Sequence, residues 1–164
     1  MRSKTVRKIL SLAGMLCAAT VLGAQSGGEL RVAPSEVKWP APAAGGVGSS
    51  GVSGTQTVVL KGDPSKPGLY TMLLRVGPNT KIEAHAHPDD RVATVISGTW
   101  YFGYGKQFNE SALKVLPPGS VYTEPPNANH FAMTRGEGVT IQITGTGPSG
   151  TAYVDPANDP NRKK

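Results

Sequence analysis

After Gly54 the chain turns into short runs of β-branched, aliphatic and aromatic residues, cut by tight turns. Residues 55–60 make one run and stop at Lys61-Gly62-Asp63-Pro64. Residues 69–76 make a second, closed by Gly77-Pro78-Asn79-Thr80. A third carries His85 and His87, and residues 91–104 follow it with Val, Thr, Ile, Trp, Tyr and Phe. Residues 114–116 end at Pro117-Pro118-Gly119; shorter runs follow at 120–123, 130–134, 139–144 and 153–154. No window past the N-terminal segment has a helical period, and only residues 110–115 suit a single turn. Short strands at regular spacing, punctuated by 21 Gly and 14 Pro, predict an all-β sandwich or barrel in one domain.

Ahead of these runs the pattern is different. Residues 30–33 predict a first strand, and residues 40–51 are too rich in Pro, Gly and Ser for a helix or a central strand. That stretch is expected to be an irregular connection or a surface wrap, anchored on the body by Trp39. The organisation expected is a leader over residues 1–24, a strand and arm over 25–54, a barrel over 55–155 and a polar tail over 156–164.

The leader changes the charge of the chain. Arg2, Lys4, Arg7 and Lys8 precede a mostly apolar run over residues 9–23, with Ala24 at the end, which is the pattern of a secretory signal peptide. A retained N-terminal anchor and a lipoprotein lipidated at Cys17 are the weaker alternatives, since the run is short for a membrane span and Leu16 is bulky. Four of the 17 basic residues and none of the 11 acidic ones lie in the leader, so its removal lowers the net charge from +6 to +2. No basic stripe remains to attract nucleic acid. Cys17, the only cysteine, leaves as well, so the remaining domain must be held by its core without a disulfide. The expected location is periplasmic or secreted.

The candidate chemistry lies in three histidines. His85 and His87 are two apart, so a single strand aims both imidazoles at one face. His130 sits in a second polar cluster behind Tyr122 and Glu124. Neutral imidazoles suit Zn, Fe, Ni and Cu, and three of them with open positions suffice for a catalytic metal. The plain alternative is three ordinary polar strand residues. Gln142, between Ile141 and Ile143, points away from both and reads as a surface residue or an interior hydrogen bonder. Trp100, Tyr101, Phe102 and Tyr104 read as packing, and Gly145-x-Gly147 follows a strand but opens no helix, so it is not a dinucleotide loop.

Two spaced patterns resemble the cupin family of small jelly-roll β-barrels. The first runs Asn79, five residues, His85-x-His87, three residues, Arg91, six residues, Gly98. The second runs Gly119, five residues, Pro125-x-Asn127, two residues, His130, three residues, Thr134. Asn79 and Asn127 stand where the family has turn glycines, and Asn is the residue that best replaces Gly in a left-handed turn. The resemblance implies a jelly-roll barrel with one divalent transition metal (Fe, Mn, Zn, Ni or Cu) on His85, His87 and His130.

Arg91 stands where the family supplies a carboxylate ligand, and a guanidinium cannot ligate a metal. Three arrangements follow. Arg91 turns to Glu83, Asp89 or Asp90 beside a three-histidine site; Asp90 or Glu83 replaces the ligand; or the metal is lost and Arg91 binds an anionic molecule. Arg91, Tyr122 and Glu124 are the candidate substrate contacts, with Glu124 also a candidate general base. The function implied is an exported metal-binding cupin acting on a small, anionic molecule, with dioxygenase and isomerase chemistry among the family's range. The alternative is a non-catalytic ligand-binding or sensor module with a degenerate metal site, marked by Arg91. A homodimer that covers open sheet edges is the expected partnership.

Overall fold

The computed structural model describes residues 28–43 and 45–162. The leader expected over residues 1–24, with Cys17, lies outside them. No helix of the described residues is long and apolar enough to cross a membrane.

Ten strands follow one another: β1 (Gln56–Lys61), β2 (Gly68–Val76), β3 (Lys81–Ala86), β4 (Arg91–Ser97), β5 (Trp100–Tyr104), β6 (Lys114–Leu116), β7 (Val121–Glu124), β8 (His130–Met133), β9 (Val139–Gly147) and β10 (Ala152–Tyr153). They form two five-stranded antiparallel sheets, ordered β1-β2-β9-β4-β7 and β10-β3-β8-β5-β6. Consecutive strands alternate between the sheets over much of the chain, as a jelly roll requires. The only helical pieces among the described residues are single 3-10 turns, one of them at Glu110–Ala112, where the sequence suits one turn.

Alternation sets what each strand buries. On β2, Tyr70, Met72, Leu74 and Val76 face inward, and on β9 Val139, Ile141 and Ile143 do the same. They meet Ile82 of β3, Ala132 of β8, and Trp100 and Phe102 of β5 from the opposite sheet. Burying each of these large apolar side chains contributes roughly 1.5–3 kcal/mol. Gln142 lies on the outward face of β9, opposite Leu73 and Thr94.

The turns that the sequence assigned to asparagine have the backbone that this requires. Asn79 (φ 52°) and Asn127 (φ 60°) are the non-glycine residues with left-handed conformations among the described residues. Each ends the entry to a histidine-bearing strand, β3 and β8.

Three local expectations need correction. Residues 30–33 form no strand; Leu30 and Val32 are exposed, because no neighbouring edge pairs with them. The run over 91–104 splits at Gly98 into β4 and β5, which belong to different sheets. His87 lies just past the end of β3, whose register with β8 shifts between Ile82 and His85. The arm does more than wrap the surface. Trp39 is capped by the guanidinium of Arg75, 3.8 Å from the ring centre, and Ala43 bridges to Thr55. The arm then turns inward, and Ser49 and Ser50 are buried.

Candidate metal centre

The three predicted histidines converge. His85 on β3 is the direct cross-strand partner of His130 on β8, and His87 follows one residue beyond the strand. Their ring centres lie 4.4 to 5.2 Å apart, and one nitrogen from each falls within 4.8 Å of the others. All three are buried.

Backbone carbonyls fix which nitrogen is free. His85 Nδ1 donates to Glu83 O at 2.7 Å, His87 Nδ1 to Gly150 O at 2.6 Å and His130 Nδ1 to Ala128 O at 3.0 Å. A carbonyl only accepts, so each Nδ1 carries the proton and each Nε2 keeps its lone pair. That is how proteins orient imidazoles toward a metal. Burial, aided by competition with His130 for a proton and by the Arg91 cation, pushes His85 down to about 4. Burial and Arg91 hold His130 near 4 as well, against the carbonyl bond that favours its charged form. His87 is pushed lower still by burial and by Arg91. The three are therefore neutral at pH 7. His130 Nε2 is buried and has no hydrogen-bond partner. A buried polar atom left unpaired costs about 1–3 kcal/mol, which a ligated cation would remove. The donor set therefore fits a divalent transition metal.

Arg91 points inward at the start of β4 and is 1% exposed. Its Nε donates to Asp89 Oδ2 at 3.1 Å, and its Nη1 to Gly48 O at 2.8 Å and Glu124 Oε2 at 3.3 Å. Nη2 donates to Ser149 Oγ. The guanidinium thus faces two carboxylates, the arm and the segment after β9, which gives no support to a direct contact with an anion. Of its three sequence candidates, Asp89 is the partner. Asp90 is exposed, and Glu83 pairs with Lys81 at 2.6 Å. Asp89 also accepts from Tyr70 Oη at 2.6 Å. Burial alone would raise Asp89, but the bonds from Tyr70 and Arg91 outweigh it and hold the carboxyl below its usual range. Gly145, opposite Arg91 on β9, makes room for this cluster: a Cβ there would lie 2.7 Å from Tyr70 Oη and 2.9 Å from Asp89 Oδ2. That accounts for a glycine which its sequence pattern left without a role.

Glu124, a candidate from the sequence, enters the site where its pairing with Arg91 could not be read from sequence. It faces Arg91 directly across the β4–β7 pair. Burial pushes its carboxyl up, with Arg91 opposing. Its Oε2 is 3.7 Å from His87 Nε2 and its Oε1 is 3.8 Å from His130 Nε2. The available signal was its alternation with Tyr122, which puts both on one face of β7; Tyr122 is buried against Phe102, with ring centres 4.3 Å apart.

The arm closes the site. Gly48, Ser49 and Ser50 line a cavity of about 20 Å³ together with the three histidines, Arg91 and Glu124. That volume suits about one ion or one water. Gly48 has a left-handed backbone (φ 82°), and a Cβ on it would sit 3.2 Å from the Arg91 Nη2. Thr151 Oγ1 donates to Ser49 O and Tyr153 Oη to Ser50 O, both at 2.7 Å, so the chain near β10 clasps the arm.

No protein-family model and no curated protein matches this chain. Solved structures do. It resembles the polyketide cyclase RemF from Streptomyces resistomycificus at 18% identity and a TM-score of 0.58, over 81% of this chain and 90% of that one. It resembles KdgF from Halomonas sp. at 16% identity and 0.52, over 73% and 94%. An RmlC-like cupin from Shewanella frigidimarina matches at 18% and 0.51, over 73% and 91%. The chain spans about half the length of two DMSP lyase structures that it also matches, 47% and 51%. At these identities the likeness defines the fold: the chain is a jelly-roll barrel of the cupin type.

Proposed function

We propose that this chain is an exported single-domain cupin that holds one divalent transition metal on His85, His87 and His130 and acts on a small molecule. The observation that carries the reading is the convergence of three buried, neutral imidazoles, each tethered through Nδ1 to a backbone carbonyl with Nε2 free. Export rests on the pattern of residues 1–24. A bound metal would supply Lewis acidity or an open coordination position. Tyr122 and Glu124 line the cavity together with the histidines, and Arg91 holds Glu124. The notion of an anionic substrate rested on Arg91, and its guanidinium is committed to Asp89, Glu124, Gly48 and Ser149.

A second reading is a cupin that binds without turnover. The cavity of about 20 Å³ favours it, since a metal alone fills that space unless the arm opens. The first reading needs the metal. Elemental analysis of tag-free protein, before and after reconstitution with Fe, Mn, Zn, Ni and Cu, tests it. Near-stoichiometric metal that is lost in His130→Ala is the expected result. Protein that takes up none of the five overturns the proposal.

A further inference from the structure

We infer that Glu124, on β7, is the carboxylate ligand of this centre, with Arg91 as the cation that holds it in place. The inference rests on the three-histidine reading above and goes beyond it, because Glu124 lies outside both family patterns' ligand positions.

Four observations converge on Glu124. It is the direct partner of Arg91 across two paired strands, so both side chains enter the barrel at the same level. The position that lost its carboxylate and the one that offers one are therefore cross-strand neighbours. Second, the two carboxylate oxygens of Glu124 stand 3.7 and 3.8 Å from His87 Nε2 and His130 Nε2. Atoms bound to one ion at about 2.1 Å and tetrahedral angles stand roughly 3.4 Å apart. Those two separations come within a few tenths of an ångström of that spacing. The histidine nitrogens, within 4.8 Å of one another, must close further to share the ion.

Third, the contacts are not hydrogen bonds. Each Nδ1 carries its ring's proton to a carbonyl, so the Nε2 atoms present lone pairs to the carboxylate oxygens. Acceptors facing acceptors across less than 4 Å repel one another unless a cation or a proton lies between them. His130 Nε2 is one of the buried atoms left without any partner. Fourth, Arg91 reaches Glu124 through Oε2 alone, at 3.3 Å, and anchors its other nitrogens on Asp89, Gly48 and Ser149. It restrains the carboxylate without covering both of its oxygens. The competing account makes Glu124 only the counter-ion of Arg91.

Glu124→Gln separates the two accounts, because the amide oxygen still accepts from Arg91 while the charge is lost. Co(II) is the probe, read by visible absorption and displaced with Zn(II) against a chelator to obtain affinities. Loss of an outer-sphere partner costs about 10–100-fold in affinity. As a ligand, Glu124 predicts a loss beyond that range in the variant, with a changed Co(II) spectrum. Equal affinity and an unchanged spectrum overturn the assignment while leaving the histidine site standing. Wild-type protein that binds no Co(II) or Zn(II) overturns both. If the variant fails to fold, infrared difference spectra of wild-type protein, Zn(II)-loaded minus metal-free, decide. A shift in the carboxylate stretching bands supports Glu124, and an unchanged carboxylate region overturns it.

Discussion

The paired strands β4 and β9 build two regions of opposite character at their two ends. At one end Val95 faces Ile141; at the other Arg91 faces Gly145. The alternation of buried and exposed positions is the same along both. What differs is how each buried side chain is satisfied. Val95 and Ile141 need only apolar neighbours at van der Waals distance, and such contacts are non-directional. Arg91 needs acceptors at specified points, drawn from Asp89, β7, the arm and the segment after β9. The apolar end is a sum of local packing terms. The polar end is one coupled unit, in which removing any member strands the others.

That contrast is broken most directly at Arg91. Arg91→Met leaves Asp89 and Glu124 buried side by side with no cation, and unpairing a buried charge of this kind costs about 3–5 kcal/mol. Ile141→Ala at the other end costs about 2–5 kcal/mol by leaving a cavity. Urea unfolding measures both, and elemental analysis separates them: Ile141→Ala is expected to keep its metal and Arg91→Met to lose affinity for it. Equal effects on metal in both variants would mean that the two ends are not distinct.

Acid sharpens the comparison. The unfolded chain protonates its histidines as pH falls through about 6.5, while folded His85 and His130 resist until about 4 and His87 lower still. The unfolded state then binds more protons, so stability is complete above about 6.5 and is lost as pH falls toward 4. The slope is up to about 1.4 kcal/mol per pH unit for each histidine. Glu124, pushed upward by burial, acts in the opposite sense and reduces the net slope. Urea midpoints of metal-free protein between pH 7 and about 4.5 should therefore decline, and a flat profile would contradict buried neutral imidazoles. The smallest effect is expected at a turn. Asn127→Gly preserves the left-handed backbone and should change stability by less than about 1 kcal/mol, with metal content unaltered.

The histidines were legible because their spacing is local. A two-residue step aims His85 and His87 together, and a turn asparagine ahead of each segment announces where the chain reverses. The strand order was legible only as a family resemblance. Glu124 was not readable as the neighbour of Arg91, since 33 residues separate them and strand pairing leaves no mark in either local pattern. The arm misled for a related reason. Its Pro, Gly and Ser content correctly excluded regular structure, yet composition carries no information about Arg91 and Thr151, whose contacts draw its backbone inward. Residues 30–33 have a strand's composition but no edge to pair with.

The clasp over the cavity has a consequence for the order of assembly. Ser49 and Ser50 are tied to Thr151 and Tyr153 across separations of 102 and 103 residues. Closing so long a loop carries a larger entropic penalty than closing the hairpins of either sheet, and contacts of this kind form late. The histidines lie on strands closer in sequence, so their convergence is expected ahead of the clasp that ties residues 49–50 to 151–153. On the reading proposed above, an ion that entered the barrel before this clasp formed would be sealed in when it closes.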